Sequence, residues 1–179
     1  MKFVVDRMLG RLAAWLRILG FDTISANSFN GFTNSEEDTC MLKIAETDGR
    51  ILITRDAELY SRAQNRGLKS LMVIQGNVID QLKQVRDTFG IKIDAQTAVL
   101  RCSECNEELQ VANVDEVRRS KEMQKLKERG VRIEEFLKRY DEYYKCNDCS
   151  KIYWKGGHWE NILRGIEQLT ETSKNREHS

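Results

Sequence analysis

The sequence predicts an α/β fold, a parallel sheet flanked by helices, followed by a small zinc-ribbon domain with a helical insertion. Three observations carry that expectation. Short apolar runs without polar alternation recur through the first hundred residues, as in strands covered on both faces. Helical stretches fall between the runs, and a glycine follows each one where a helix C-terminus wants a left-handed residue. Two CxxC pairs, Cys102/Cys105 and Cys146/Cys149, supply four thiolates, the donor set of a closed tetrahedral Zn²⁺ site.

Taken in order, the first run is Phe3-Val4-Val5. A helix over 7–19 follows. At about 100° per residue it gathers Met8, Leu9, Leu12, Trp15, Leu16 and Leu19 on one face. Arg7, Gly10, Arg11, Ala14 and Arg17 share the opposite face. That basic face is either solvated or a contact for phosphates through its arginines. A weaker strand at Thr23-Ile24-Ser25 leads into a turn-rich loop over 26–34. Ser35, with Asp38 three residues on, resembles a capping box at the start of a helix over 35–48. Cys40, the fifth cysteine, reads as a buried or half-buried thiol of that helix. Ile51-Leu52-Ile53 forms the next strand, a helix spans 57–66, Leu71–Ile74 is a further strand, and a helix spans 78–89.

From residue 101 the character changes. The knuckles RCSECNEEL and YKCNDCSKIYW are separated by a charged segment at 114–144, expected as two helices parted by Gly130. The domain expectation is therefore 1–98 for the sheet, 99–170 for the zinc unit with its insertion, and 171–179 for a disordered tail. Trp154 and Trp159 either pack the ribbon onto the first domain or stack bases, with His158 donating to phosphate in the second case. Four cysteines already fill a zinc shell, so His158 is not needed as a ligand.

The net charge is +1, so bulk electrostatics does not announce a nucleic-acid partner and any such surface must come from local clustering. No apolar run approaches the roughly 20 residues of a membrane span. The N-terminus, charged at Lys2 and Asp6, lacks a secretory pattern. A reducing, cytoplasmic setting is the expectation, and there CxxC pairs read as metal ligands before disulfides.

Asp6 follows the first strand and Asp56 follows the Ile51–Thr54 strand. In parallel neighbours both carboxylates would emerge at the carboxyl edge of the sheet, where open α/β sheets place ligands. Asp38, on the intervening helix, could lean over the same edge. Either these aspartates are helix caps, or they gather closely enough to need a divalent cation between them. Mg²⁺ or Mn²⁺ suits an all-oxygen site and would activate water against a phosphodiester.

The segments VVDRMLGRLAAWLRILGFD, EDTCMLKIAETDGRILITRDAEL, CSEC and KCNDCSKIYWKGGHWENI, in that order, resemble the Mut-seven C-terminal RNase domain family over about residues 2–168. The resemblance implies a PIN-like nuclease domain joined to a zinc ribbon. It implies metal-dependent ribonuclease chemistry at Asp6, Asp38 and Asp56, with Thr54 and Arg55 in support. Thr54 would orient a carboxylate or a water. A fourth acidic position is customary in PIN nucleases; Asn77 and Asp80 are the candidates here. RNA is the implied partner, ribosomal or transfer RNA among the options, contacted through Arg7, Arg11, Arg17, His158 and Trp159. The rival readings are an RNA- or ribosome-binding protein that keeps the fold without catalysis, and a toxin-like nuclease held by an inhibitor.

Overall fold

A computed structural model describes residues 1–74, 76–93 and 101–174, with backbone alone for His158 and for 168–174. The first strands are β1 (Lys2–Val5), β2 (Asp22–Ser25), β3 (Ile51–Thr54) and β4 (Ser70–Met72). They form a parallel sheet in the order β2-β1-β3-β4. Phe3 pairs with Ile51 and Val5 with Ile53, so the two central strands end side by side.

The pleat sends alternate residues to opposite faces, and each face has its own helices. Phe3, Val5, Ile51 and Ile53 face α1 (Gly10–Ile18), α4 (Val78–Phe89) and α8 (Gly157–Lys174), through Leu12, Leu16, Leu82, Val85, Ile162 and Ile166. Val4 and Leu52 face α2 (Asn34–Asp48) and α3 (Ala57–Asn65), through Met41, Leu42, Leu59 and Ala63. Burial on both sides is why these strands read as unbroken apolar runs.

Several local expectations change. Residues Arg7–Leu9 form a separate 3₁₀ turn rather than the start of α1. Its tighter rotation turns Met8 out of the expected apolar face, leaving it 61% exposed. α2 is capped by Thr33 with Glu36 closing the capping box, not by Ser35 with Asp38. Asn77 caps α4, its side chain accepting from the backbone of Ile79 and Asp80, which gives it a structural role in place of an acidic one. α8 runs on to Lys174, into the segment expected as tail from 171; residues 175–179 lie outside those described.

The second sheet is antiparallel, β5 (Leu109–Val111), β6 (Tyr143–Cys146) and β7 (Ile152–Trp154), in that order. The insertion between β5 and β6 holds three short helices rather than two: α5 (Val114–Arg118), α6 (Lys121–Glu128) and α7 (Ile133–Arg139). Ser120 caps α6 and so breaks the first expected helix. Alternation again sorts the strands. Tyr143, Ile152 and Trp154 face the insertion with Val117, Met123 and Leu137. Leu109, Tyr144 and Tyr153 pack against the core of the first sheet. The ribbon is thus a layer between the insertion and the parallel-sheet unit, and α8, expected with the zinc unit, buries Trp159, Ile162 and Ile166 in that first core. No described helix is long and apolar enough to cross a membrane.

Candidate active site and metal centre

The two knuckles are equivalent turns. Cys102 N–H donates to Glu107 O and Cys146 N–H to Lys151 O; Asn106 N–H donates to Cys102 O and Ser150 N–H to Cys146 O. The fourth residue after each leading cysteine, Asn106 and Ser150, takes a left-handed backbone, with φ of 74° and 61°. This repetition places all four sulfurs within 4.8 Å of one another. The Cys102–Cys149 separation is 3.5 Å and the Cys105–Cys146 separation 3.3 Å. A disulfide requires about 2.0 Å, and tetrahedral Zn–S bonds of about 2.3 Å imply sulfurs roughly 3.8 Å apart. The quartet fits Zn²⁺.

Burial pushes the Cys149 thiol up to about 11, with neighbouring thiols adding to it. Cys102 is the more deeply buried of the two, yet hydrogen bonds from the Tyr153 hydroxyl and the backbone of Cys105 and Glu104 bring it down to about 7. Such an uneven set of thiols becomes a set of four thiolates only when a cation neutralises it.

At the carboxyl edge of the parallel sheet, β1 delivers Asp6 and β3 delivers Thr54, Arg55 and Asp56. Asp6 is 8% exposed and Thr54 fully buried. The Thr54 hydroxyl donates to Asp6 Oδ2 at 2.8 Å, and accepts from Asp56 N–H at 2.9 Å. Asp6 Oδ1 takes a long bond from Met8 N–H, 3.4 Å. Asp56 caps α3 through Oδ1, accepting from Glu58 and Leu59 N–H at 2.7 and 2.9 Å. The cap uses one oxygen only. Arg55 is half-buried between these positions.

Asp38 leans over from α2. Burial raises its pKa, the Arg62 guanidinium opposes that at 3.1 Å, and the charges of Asp56, Asp6 and Glu37 raise it further. The three aspartates therefore share one electrostatic neighbourhood. Among the described residues, only the cysteine quartet is gathered tightly enough to stand out as a metal cage. The carboxylates offer hard oxygen donors, which is the chemistry Mg²⁺ or Mn²⁺ takes.

The arginines separate into three situations. Arg7 has an exposed side chain but a guanidinium committed to the protein, bonding Glu37 in an ion pair and Ala26 O and Phe29 O at 3.2 and 3.3 Å. Arg11 is exposed and lines a groove with Trp15, Asn77, Asn161 and Arg164. Arg17, expected on the same open face, is 5% exposed. It donates to Thr23 O at 2.8 Å and to Ser103 O and Glu104 O of the first knuckle at 2.9 and 2.7 Å. Its role is to dock the zinc knuckle on α1, and it is withdrawn as an RNA contact. Trp159 is 8% exposed and belongs to the core. The His158 side chain lies outside the described residues.

Three participants escaped the sequence reading. Glu37 is 7% exposed beside Asp38 and faces Arg7; adjacency to an edge aspartate on α2 was its signal. Arg62, six residues beyond Asp56 on α3, holds Asp38. Asn106 donates to Asp22 Oδ1 and accepts from Thr23 N–H, each at 2.8 Å, beside the bidentate Asp22–Arg50 pair; nothing local in the sequence marks that role.

The Mut7-C RNAse domain family model matches residues 1–166, and the chain belongs to that family. No curated protein and no solved structure is a significant match.

Proposed function

We propose that the chain is a ribonuclease dependent on Mg²⁺ or Mn²⁺, hydrolysing RNA phosphodiester bonds at the edge formed by Asp6, Asp38 and Asp56. The observation that carries this reading is the Asp6–Thr54–Asp56 linkage, which joins the ends of two adjacent parallel strands through one buried hydroxyl. Family membership supports RNA as the substrate class.

Asp6, Asp38 and Asp56 would hold the cation through carboxylate oxygens. The cation, when bound, supplies a Lewis acid that lowers the pKa of water and offsets charge on the phosphate. Thr54 fixes Asp6 by donating to Oδ2, and among the described residues Oδ1 has only the long Met8 contact. Asp56 is exposed, with Oδ1 spent on the cap of α3, so Oδ2 is the oxygen it would offer a cation. Arg62 holds Asp38 near the edge and tempers repulsion among the carboxylates. The zinc ribbon serves structure and RNA contact, and free thiols are what a reducing compartment such as the cytoplasm maintains, which supports a cytoplasmic setting.

The second reading, RNA or ribosome binding without catalysis, draws on the same contacts. Each aspartate already has a structural partner: Thr54 for Asp6, Arg62 for Asp38, and the α3 amides for Asp56. A panel of labelled structured and single-stranded RNAs, including ribosomal and transfer RNA, separates the two with Mg²⁺, Mn²⁺ or EDTA. Metal-dependent cleavage lost by orders of magnitude in Asp6→Asn and Asp56→Asn supports the nuclease. Tight binding with no cleavage under any metal supports the binder.

A further inference from the structure

Arg11 of α1 and Arg164 of α8 line one groove of about 380 Å³, together with the start of α4. Both α1 and α4 begin at the carboxyl edge of the sheet, α1 after the turn that Asp6 caps and α4 after β4. Roughly 9 Å of helical rise separates Asp6 from Arg11, so the groove flanks the carboxylates. Gly165 brings α8 to this place. A Cβ there would stand 2.7 Å from Ile79 Cδ1 and 2.7 Å from Trp15 Cη2. Glycine thus lets α8 lie against α1 and α4, and Arg164, the residue before it, comes to share a groove with Arg11.

The charges in this groove are uncompensated. Arg11 is exposed and has no ion pair or side-chain hydrogen bond among the described residues. Arg164, also exposed, donates to Asn161 Oδ1, and Asn161 lines the same groove. Its other bond, a long one of 3.4 Å, goes to Glu160 O, so both acceptors are neutral. No carboxylate is among the described residues that line the groove. Arg7 and Arg62, by contrast, are paired with Glu37 and Asp38. Two unpaired guanidinium groups in one groove repel each other, and an anion between them turns that repulsion into attraction.

Resting on the RNA reading above, we propose that Arg11 and Arg164 together clamp one backbone phosphate of the RNA strand, beside the phosphodiester at the carboxylate edge. The planar guanidinium fork matches phosphate oxygens two at a time, and two such forks from different helices fix one phosphate in position. Contacts of this kind set the register of a strand and carry no base preference. Asp6, Asp38 and Asp56 repel a polyanion, so the attraction that seats the strand over them has to come from neighbouring surface. The clamp supplies it from α1 and α8, and gives the last helix of the chain a part in holding the RNA.

The test is a double-mutant cycle on binding of a labelled single-stranded RNA to the zinc-loaded full chain, without Mg²⁺ or Mn²⁺ and with no cleavage readout. Arg11→Ala and Arg164→Ala should each weaken binding about tenfold. Because both arginines hold the same phosphate, the double variant should bind within about threefold of either single one. Its slope of log K against log salt should fall by about 1, the count for one phosphate, rather than about 2. Arg164→Lys keeps the charge and loses the fork, so it should weaken binding with the slope unchanged. Arg66 and Lys69 are exposed at the far end of α3, and their double alanine variant, with the same change in net charge, should bind RNA as wild type does. Losses that multiply across the cycle, a control variant as weak as the groove variant, or a wild type that does not bind RNA overturn the proposal. So does displacement of the RNA by a poly-glutamate peptide at lower concentration than by unlabelled RNA, which would assign the groove to an acidic protein. Metal-dependent cleavage with an additive cycle would leave the nuclease reading standing and remove the clamp; a coupled cycle without cleavage under any metal would do the reverse.

Discussion

The Thr54 hydroxyl donates to Asp6 Oδ2 and accepts the Asp56 amide, so a single buried oxygen fixes the ends of β1 and β3 relative to each other. The side chain is fully buried, and both of its bonds lie in a region where an unmade bond costs most. Thr54→Val keeps the shape and removes the oxygen. It should lower stability by about 1–3 kcal/mol, because the Asp56 N–H and one Asp6 oxygen lose their partner. Cleavage should fall by about 10- to 100-fold, the usual effect of losing a group that orients a ligand carboxylate. Thr54→Ser should retain most of both. Thermal melts and single-turnover cleavage check this; a Val variant as active as wild type would show that the hydroxyl is only a strand clasp.

Removing zinc should destabilise more than the ribbon. The first knuckle is bonded to α1 through Arg17 and to β2 through Asn106, while Leu109, Tyr144 and Tyr153 of the ribbon pack on the first core. Chelation with a strong zinc chelator should therefore lower the melting temperature of the whole chain in one transition. Elemental analysis should give one zinc per replete chain. Quartet-to-serine variants should reproduce the chelated melt. Two well-separated transitions would mean the parallel-sheet unit stands alone.

The parallel sheet and its carboxyl edge were legible because burial on two faces leaves an unmistakable pattern in Phe3–Val5 and Ile51–Ile53, and because Asp6 and Asp56 occupy matching strand ends. The cysteine quartet was legible from spacing. Arg17 was not, since its burial depends on the Ser103 and Glu104 carbonyls, 86 and 87 positions along the chain. A helical wheel cannot see a partner that arrives from another unit. Met8 leaves the apolar face for a local reason: a helical wheel runs a continuous α-helix through what is a 3₁₀ turn. Glu37 is buried against Arg7, a contact between elements that sequence spacing does not display.

Asp38 should set a pH dependence of stability. Its folded pKa is raised, so the folded state binds the proton more readily than the unfolded chain does. Stability from this group is present below the unfolded carboxylate value of about 3.9 and is lost as pH rises through the higher folded value. In EDTA, Asp38→Asn should gain on the wild type as pH increases through that interval, and the gain should level off above it. Adding Mg²⁺ or Mn²⁺ should shrink the difference if the ion offsets the shared negative charge. Melts at several pH values, with and without metal, read both effects. A difference independent of pH would place Asp38 outside the coupled cluster.

The three arginines of the first helical region should behave differently, although sequence placed them together. Arg11 is exposed in a groove beside Arg164, so Arg11→Ala should leave stability within about 0.5 kcal/mol. If it meets a phosphate, RNA binding should weaken and the slope of log K against log salt should fall by about 1. Arg7→Ala should do something else, because it strands Glu37, whose side chain is 9% exposed. That loss appears as destabilisation, partly relieved by Glu37→Gln in the same chain, with little change in salt slope. Arg17→Met removes the three bonds that hold the knuckle and leaves carbonyls unpaired. It should cost about 2–4 kcal/mol, the scale of hydrogen bonds to a buried charged group, and loosen zinc retention without altering the number of released counterions. Salt titrations of RNA affinity beside thermal melts distinguish the three. A reduced slope for Arg17→Met in a protein that still melts like wild type would restore it to the RNA surface and contradict its docking role.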